Sequence, residues 1–510
     1  MSKPELQAEN GSLKQENKVL KQELEYKEFV ISKLQKMLFG STSERFTPEQ
    51  ISNQMSLFNE LAGKGVEEVE KEEITYQRNK PKRGKKEGGR IPLPENLPVV
   101  EIIIEPSVDT TEMVKIRDET TDILDIIPPV FQIIRIIRPI YANPKAKKED
   151  VAQAIIIANL PSRPIDKGIP SARLLAYLLV SKFVDHLPYY RQVKMFQRSE
   201  IDIKTTTING WIAKTCVLLK PLYDAFCKHH FSKPYLQGDE TTIKVLKVKK
   251  SGKKGKAHQG YYWVYYDPID NQVVFIFDKG RGRKYPVEHL KNFSGNLQTD
   301  GLGVYTEFDK LDHVTLYGCM AHVRRKFFDA LNNDKQRATK VLGMIQQLYK
   351  IEDHARKEKY TAAQRLELRQ QKAAPIMTEL KTYLDEEYDS KQVLPKSAIG
   401  IAIRYAIGQW WKIERYLEDG SVEIDNNLVE NAIRPVALGR KNYLFAGSEQ
   451  GAEWGAMIYT FLASATRHEH NPLEYLADVL RRLPETKISQ LHELFPVNWA
   501  PRTPSELDLI

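Results

Sequence analysis

Leucine returns every seven residues at the start of the chain. Leu6, Leu13, Leu20 and Leu34 hold one position of the repeat, and Asn10, Asn17, Leu24, Ile31 and Leu38 hold the other. Two apolar positions per heptad form the seam of a coiled coil, so residues 1–40 are expected to be a dimerisation helix, broken once at Lys27. Asn10 and Asn17 fall on the seam, where each pairs with its own copy and fixes register at some cost in stability. A lone amphipathic helix packed on its own domain is the alternative. Residues 41–90 are polar and without period, which reads as a linker. From residue 91 to about 150 the texture turns to β-branched runs, Val99 to Ile104 and Phe131 to Ile137, split by Pro128-Pro129, and a small β-rich module is expected.

Helical periodicity occupies 165–232. Ser171 to Phe183 reads as a buried helix and Leu187-Pro-Tyr-Tyr-Arg-Gln192 opens another; a break at 199–204 precedes Thr205-Thr-Thr-Ile-Asn-Gly-Trp211, where a threonine can cap. Helix, short turn and polar helix start are compatible with a helix-turn-helix reading head, and equally with plain helical packing. Strands follow at Pro234–Leu246, Gly260–Tyr266 and Gln272–Phe277, the last two joined by a hairpin turn at 267–271. A short helix over Val287–Phe293, a fourth strand ending in Asp300, a fifth at Val314–Gly318 and a helix over His322–Phe328 complete the block. This order predicts a mixed sheet with helices on its faces, over residues 233–329 and 416–467. Residues 330–415 read as a charged helical insertion and 468–510 as a helical tail.

One later helix breaks the ordinary apolar pattern. In the stretch Ile424 to Gly447, Asp425 or Asn426 can cap; Asn426, Glu430 and Arg434 share a face at i, i+4 and i+8; and Pro435 makes Arg434 the expected last residue. A carboxylate ringed by amides and an arginine, close to Arg440-Lys441, suggests phosphate chemistry.

Composition narrows the class. The chain has 510 residues, 41% hydrophobic and 28% charged, enough for three or four domains and a complete enzyme. No run approaches the ~20 apolar residues of a membrane span, and Met1-Ser-Lys-Pro-Glu5 has no secretory apolar core, so a cytoplasmic protein is expected. Cys216, Cys227 and Cys319 are scattered without a C-x-x-C pair, which argues against a disulfide framework or zinc ribbon. A net charge of +9, with basic runs at Lys80–Lys86, Lys247–Lys256 and Arg324-Arg325-Lys326, favours a polyanionic partner.

Three carboxylates stand out by position: Asp239 in the first strand, Asp300 at the end of the fourth and Glu430 on the polar helix. Such clusters hold Mg²⁺, a hard cation that takes oxygen ligands, and two ions about 4 Å apart serve in-line displacement at phosphorus. Salt bridging is the ordinary alternative for each acid. Glu240 adjoins Asp239 on a strand and points to the opposite face. Glu423 and Asp425 rival Glu430, with Asp425 the simpler helix cap. Arg434, Arg440, Lys441, Arg324 and Arg325 are candidate DNA contacts, against ordinary surface and ion-pair roles. His322 is weighed between the site and a structural hydrogen bond, and Trp263, Tyr262 and Tyr265 read as sheet packing before base stacking.

The motifs Gly238-Asp-Glu-Thr241, Leu297-Gln-Thr-Asp-Gly301, Gly318-Cys-Met-Ala-His-Val-Arg-Arg-Lys-Phe327, Asp425 to Pro435 and Gly439 to Gly447 come in that order, after Phe39-Gly-Ser-Thr-Ser-Glu44 and Asp185-His-Leu-Pro-Tyr-Tyr-Arg-Gln192. Together they resemble the transposase of the sixty-six family of bacterial insertion sequences, over most of the chain. The resemblance implies an RNase H-like catalytic domain with an Asp-Asp-Glu triad, which falls on Asp239, Asp300 and Glu430 as ligands for Mg²⁺ or Mn²⁺ in a two-metal site. It further implies a multidomain α+β chain that cleaves element ends and transfers the 3′-OH into target DNA, in a bacterial cytoplasm. A dimer or larger assembly and accessory proteins of the same element are the implied partners. A nuclease or resolvase without strand transfer, and an inactive coiled-coil DNA-binding regulator, are the alternatives. The family's zinc element has no counterpart here: residues 91–144 contain neither cysteine nor histidine, so zinc is not expected.

Overall fold

A computed structural model describes residues 131–142, 155–157, 162–246 and 257–502. The heptad seam, the linker, the β-rich module up to residue 130 and the runs Lys80–Lys86 and Lys247–Lys256 lie outside the described residues. Of the β-rich module, residues 131–142 are described: the run Phe131 to Ile137 forms no strand and leaves Ile133, Ile134, Ile136 and Ile137 exposed, and β1 (Ile140–Ala142) pairs antiparallel with β2 (Ile155–Ile157).

Three helices follow. Helix α1 (Ala172–Phe183) is capped by the Ser171 hydroxyl, which accepts from Leu174 N–H. Helix α2 (Tyr189–Gln197) leads to α3 (Thr205–His230), whose N-cap is Lys204 with no side-chain bond. The expected threonine cap is therefore absent, because Thr205 already lies inside the first turn. The α3 face carrying Ile208, Ile212, Leu219, Leu222 and Phe226 is buried, while Thr206, Thr207 and Asn209 are exposed.

The sheet has five strands: β3 (Tyr235–Val245), β4 (His258–Asp267), β5 (Gln272–Asp278), β6 (Gly295–Thr299) and β7 (Val314–Tyr317), in spatial order β5-β4-β3-β6-β7. The first three are antiparallel neighbours, whereas β6 and β7 run parallel to β3. Parallel pairing needs crossovers, and these are α4 (Lys284–His289), slightly earlier than the expected 287–293, and a 3₁₀ turn at Gly303–Lys310. The fold is thus mixed α/β.

Each sheet face has its own core. One face packs Ile243, Val264 and Phe275 against α1, α3, α10 (Asn427–Tyr443), α11 (Glu449–Arg467) and α12 (Pro472–Arg482). The other packs Leu236, Trp263, Tyr265, Leu297 and Leu316 against Phe293, Tyr305 and Phe308. Trp263, Tyr265 and Tyr262 are buried, so all three are sheet packing. The edge strand β5 is closed by side chains of α11. Thr460 Oγ1 accepts from Phe275 N–H at 2.9 Å, and Ser464 Oγ both accepts from Val273 N–H and donates to Val273 O. Backbone groups that would template pairing with another chain are satisfied this way.

Between β7 and α10 the chain is helical: α5 (Met320–Asp329), α6 (Lys335–Lys357), α7 (Ala362–Leu368), a π turn at Arg369–Ala373, α8 (Ala374–Asp389) and α9 (Ala398–Ile413). These share a second core of Met320, Phe327, Leu348, Leu380, Ala406 and Ile413. Among the described residues no helix is long and apolar enough to cross a membrane.

Helix α10 does not stop at Arg434. It runs through Pro435 to Tyr443, because Ala432, Val436 and Gly439 are buried and their packing outweighs the one hydrogen bond that proline cannot donate. A Cβ on Gly439 would lie 2.7 Å from Tyr443 Cε1 and from the Tyr459 hydroxyl, so any larger residue would push these rings aside.

Candidate active site

Gly238 on β3 stands opposite Thr299 on β6. The next residues on these parallel neighbours are Asp239 and Asp300, which brings them together at the end of β6, on strands ~4.8 Å apart. Asp239 pairs across with Val264 and shares the α10 face; Glu240 pairs with Trp263 and takes the other. Burial pushes the Asp239 carboxyl well above the usual carboxylate range, and the charges of Glu240, Asp300 and Glu430 push it further. Glu430 on α10 is thereby placed within electrostatic reach of Asp239. The Asp239 Oδ1 accepts from Glu240 N–H at 2.7 Å, and the Asp300 Oδ1 accepts from Leu302 N–H at 2.9 Å, so each carboxylate has one oxygen fixed by backbone.

Glu430 faces His322 and Arg325 of α5. His322 Nε2 lies 3.7 Å from its Oε1 and Arg325 Nη2 lies 3.5 Å from its Oε2. The separations exceed a good hydrogen bond, and Glu430 Oε1 is buried without a hydrogen-bond partner. Arg325, a candidate DNA contact by sequence, therefore sits on the acidic centre, and His322 sits with it.

The start of α10 is held from below. Gln237, two residues before Asp239 and on the same face, accepts from Val429 N–H through Oε1 and donates through Nε2 to Asp425 O, Gln298 Oε1 and the Tyr235 hydroxyl. Gln298 in turn donates to Glu423 O and Gly318 O. Sequence reasoning missed this network, although buried amides at 237 and 298 alternate in phase with Asp239 and flank Asp300. Asp425 accepts from Asn427 N–H at 3.0 Å and from the Tyr349 hydroxyl at 2.6 Å, which makes it the cap-like residue. Asn426, at the N-cap position, is fully buried with neither side-chain atom hydrogen-bonded. Glu423 receives Arg365 and Arg356, whose hydrogen bonds and charges outweigh burial and hold its carboxyl down at about 2. It belongs to an ion-pair network, as its sequence position alone could not reveal.

The remaining cations are dispersed. Arg440 donates through Nη1 to Thr241 Oγ1, Thr242 O and Thr242 Oγ1, tying α10 to β3. Arg434 is exposed one turn beyond Glu430, and Arg324 and Lys441 are exposed on α5 and α10. Among the described residues, no group of three His, Cys, Asp or Glu side chains lies close enough together to hold a metal ion. The donors available at Asp239, Asp300 and Glu430 are all carboxylate oxygens, with one orphaned in Glu430, and this set fits a hard divalent cation better than zinc.

Family comparison bears on this geometry. Residues 167–454 match the description "Transposase IS66 family", residues 460–497 "IS66 C-terminal element" and residues 28–102 "Transposase C of IS166 homeodomain". The chain belongs to the IS66 transposase family. "Uncharacterized protein y4qI" of Sinorhizobium fredii is 33% identical over 492 residues, covering 92% of this chain and 88% of that protein. "Uncharacterized protein y4jD" of the same organism is 33% identical over 427 residues, covering 80% and 81%. The IS66 family match spans Asp239, Asp300 and Glu430 and every element that positions them.

Proposed function

We propose that the protein is a DNA transposase that cuts the ends of its element and joins the freed 3′-OH to target DNA at one Asp-Asp-Glu site. The observation that carries this reading is the approach of Asp239, Asp300 and Glu430, from β3, the end of β6 and α10, in a chain of a transposase family. The strand order and directions agree with the RNase H-like arrangement that the resemblance implies.

Asp239, Asp300 and Glu430 would hold the divalent metal, Mg²⁺ or Mn²⁺. When bound, the metal activates the attacking oxygen and neutralises charge at phosphorus. Asp239 supplies the buried floor of the site, where a divalent cation would offset the like charges of Glu240, Asp300 and Glu430. The Asp300 turn leaves one oxygen directed away from its own backbone bond. Arg325 offsets the charge of Glu430, and its guanidinium and the His322 ring are placed to contact phosphate oxygens beside the carboxylates. Arg434 and Lys441, exposed on the same helix, extend the positive rim for DNA, and an N-terminal coiled coil would pair two such sites.

The test is an assay of the full chain with DNA carrying the element ends, a target plasmid, and Mg²⁺ or Mn²⁺. Cleaved ends and joined product are expected, and Asp300→Ala is expected to abolish both. Hydrolysis with no joined product would reduce the enzyme to a nuclease, and activity persisting in Asp300→Ala would remove the triad.

A further inference from the structure

The segment that leaves β5 and enters α4 reads Lys279-Gly-Arg-Gly-Arg-Lys284, four cations in six residues. Its shoulders are pinned: Lys279 pairs with Glu449 of α11 at 2.7 Å and Arg283 pairs with Glu307 at 2.8 Å. Between them Arg281 reaches back to β3, where its Nε donates to Glu240 Oε1 at 2.6 Å. The two partners differ sharply in exposure. The Glu240 side chain is 5% exposed, packed on the Trp263 face of the sheet, while the Arg281 side chain is 49% exposed. Glu240 Oε2 is buried with no hydrogen-bond partner. Arg281 also lies within electrostatic reach of Asp300.

A buried carboxylate on a strand is a poor device for stability. An apolar side chain beside Trp263 would remove the desolvation cost of the charge, and a half-exposed partner recovers little of it. What the pair does achieve is a half-exposed guanidinium fixed by Nε and Nη2 on one carboxylate oxygen of the residue that follows Asp239 in β3. An arginine so held matches a phosphate in the fork geometry that lysine lacks.

Resting on the transposase reading, we propose that Arg281 is a phosphate contact for the DNA strand being cut, and that Glu240 is the positioning residue that aims it. The two roles separate in experiment. The full chain is titrated with a labelled duplex carrying the element ends, without divalent ion and at several salt concentrations, and cleavage is then followed in Mn²⁺. Arg281→Ala is expected to lower the slope of log affinity against log salt by about one and to slow cleavage at least ~10-fold. Arg281→Lys restores the salt slope and leaves cleavage slow, because it returns the charge without the fork. Glu240→Gln, of equal volume, keeps DNA affinity at or above the parent value and slows cleavage, a split that general loss of folding cannot produce. Arg281→Ala strands the buried Glu240 carboxylate and is expected to lower the melting temperature, whereas Arg281→Lys melts close to the parent; binding and cleavage are therefore measured well below the transition of every variant.

An unchanged salt slope and unchanged cleavage in Arg281→Ala would overturn the contact. Cleavage at the parent rate in Glu240→Gln would overturn the aiming role. Either result leaves Asp300→Ala free to report on the triad independently.

Discussion

Asp239 carries a cost in the fold that its neighbours impose. Burial and three nearby carboxylates make the folded state bind its proton more tightly than the unfolded chain does, so the stability penalty is absent well below the ordinary value of 3.8 and grows as pH rises above it. Asp239→Asn is therefore expected to raise the melting temperature at pH 7 in chelator, to leave it unchanged near pH 3, and to abolish cleavage. Mn²⁺ should stabilise the parent and not the variant. Differential scanning calorimetry with and without Mn²⁺ checks all of these. Glu423 behaves oppositely. Its carboxyl is held from 4.5 down to about 2, so its contribution is full above pH 4.5 and fades as pH falls toward 2. Glu423→Gln should be less stable than the parent at pH 6, with the gap closing by pH 2 in acid denaturation curves. The three acids form an expected set through the family resemblance, with Asp239 inside a strand, Asp300 at a strand end and Glu430 on a polar helix face. Which charges the acids meet was not legible in the sequence, since Arg365 and Arg356 reach Glu423 from helices some sixty residues earlier in sequence.

At the scale of elements, α10 is positioned by the sheet more than by its own sequence. Removing the Gln237 side chain strands a buried N–H of Val429 and the carbonyl of Asp425, and Gln237→Ala is expected to destabilise the fold by about 3 kcal/mol, read as a lower denaturant midpoint. Gly439→Ala should cost about 1–3 kcal/mol through overpacking against Tyr443 and Tyr459, with the same readout. The strands were legible from alternation and β-branched or aromatic content, and all five occupy one sheet. Their order was not legible, because Asp239 meets Asp300 only through the β3–β6 register, which neither strand encodes alone. Pro435 misled for a similar reason. A local rule ended the helix, and burial of Val436 and Gly439 on a distant surface carried it on for two more turns.

Over the whole molecule, the helices between β7 and α10 clamp the strap that delivers Glu430. Arg369, fully buried in the π turn, grips Glu352 with two nitrogens and donates to the carbonyls of Tyr416, Asp419 and Val422. Arg369→Met leaves Glu352 buried with only Arg365 beside it and is expected to cost about 3–5 kcal/mol in chemical denaturation. The same arrangement sets an order of events during synthesis. Glu430 is made 130 residues after Asp300 (430 − 300), and the α11 side chains that close β5 come later still. At ~5–20 residues per second the ribosome spends roughly 7–26 s between the second carboxylate and the third. A chain released anywhere in that interval holds two acids of the proposed triad and leaves β5 without the α11 side chains that close it, so chains ended before Glu430 are expected to show no cleavage in the end-cutting assay.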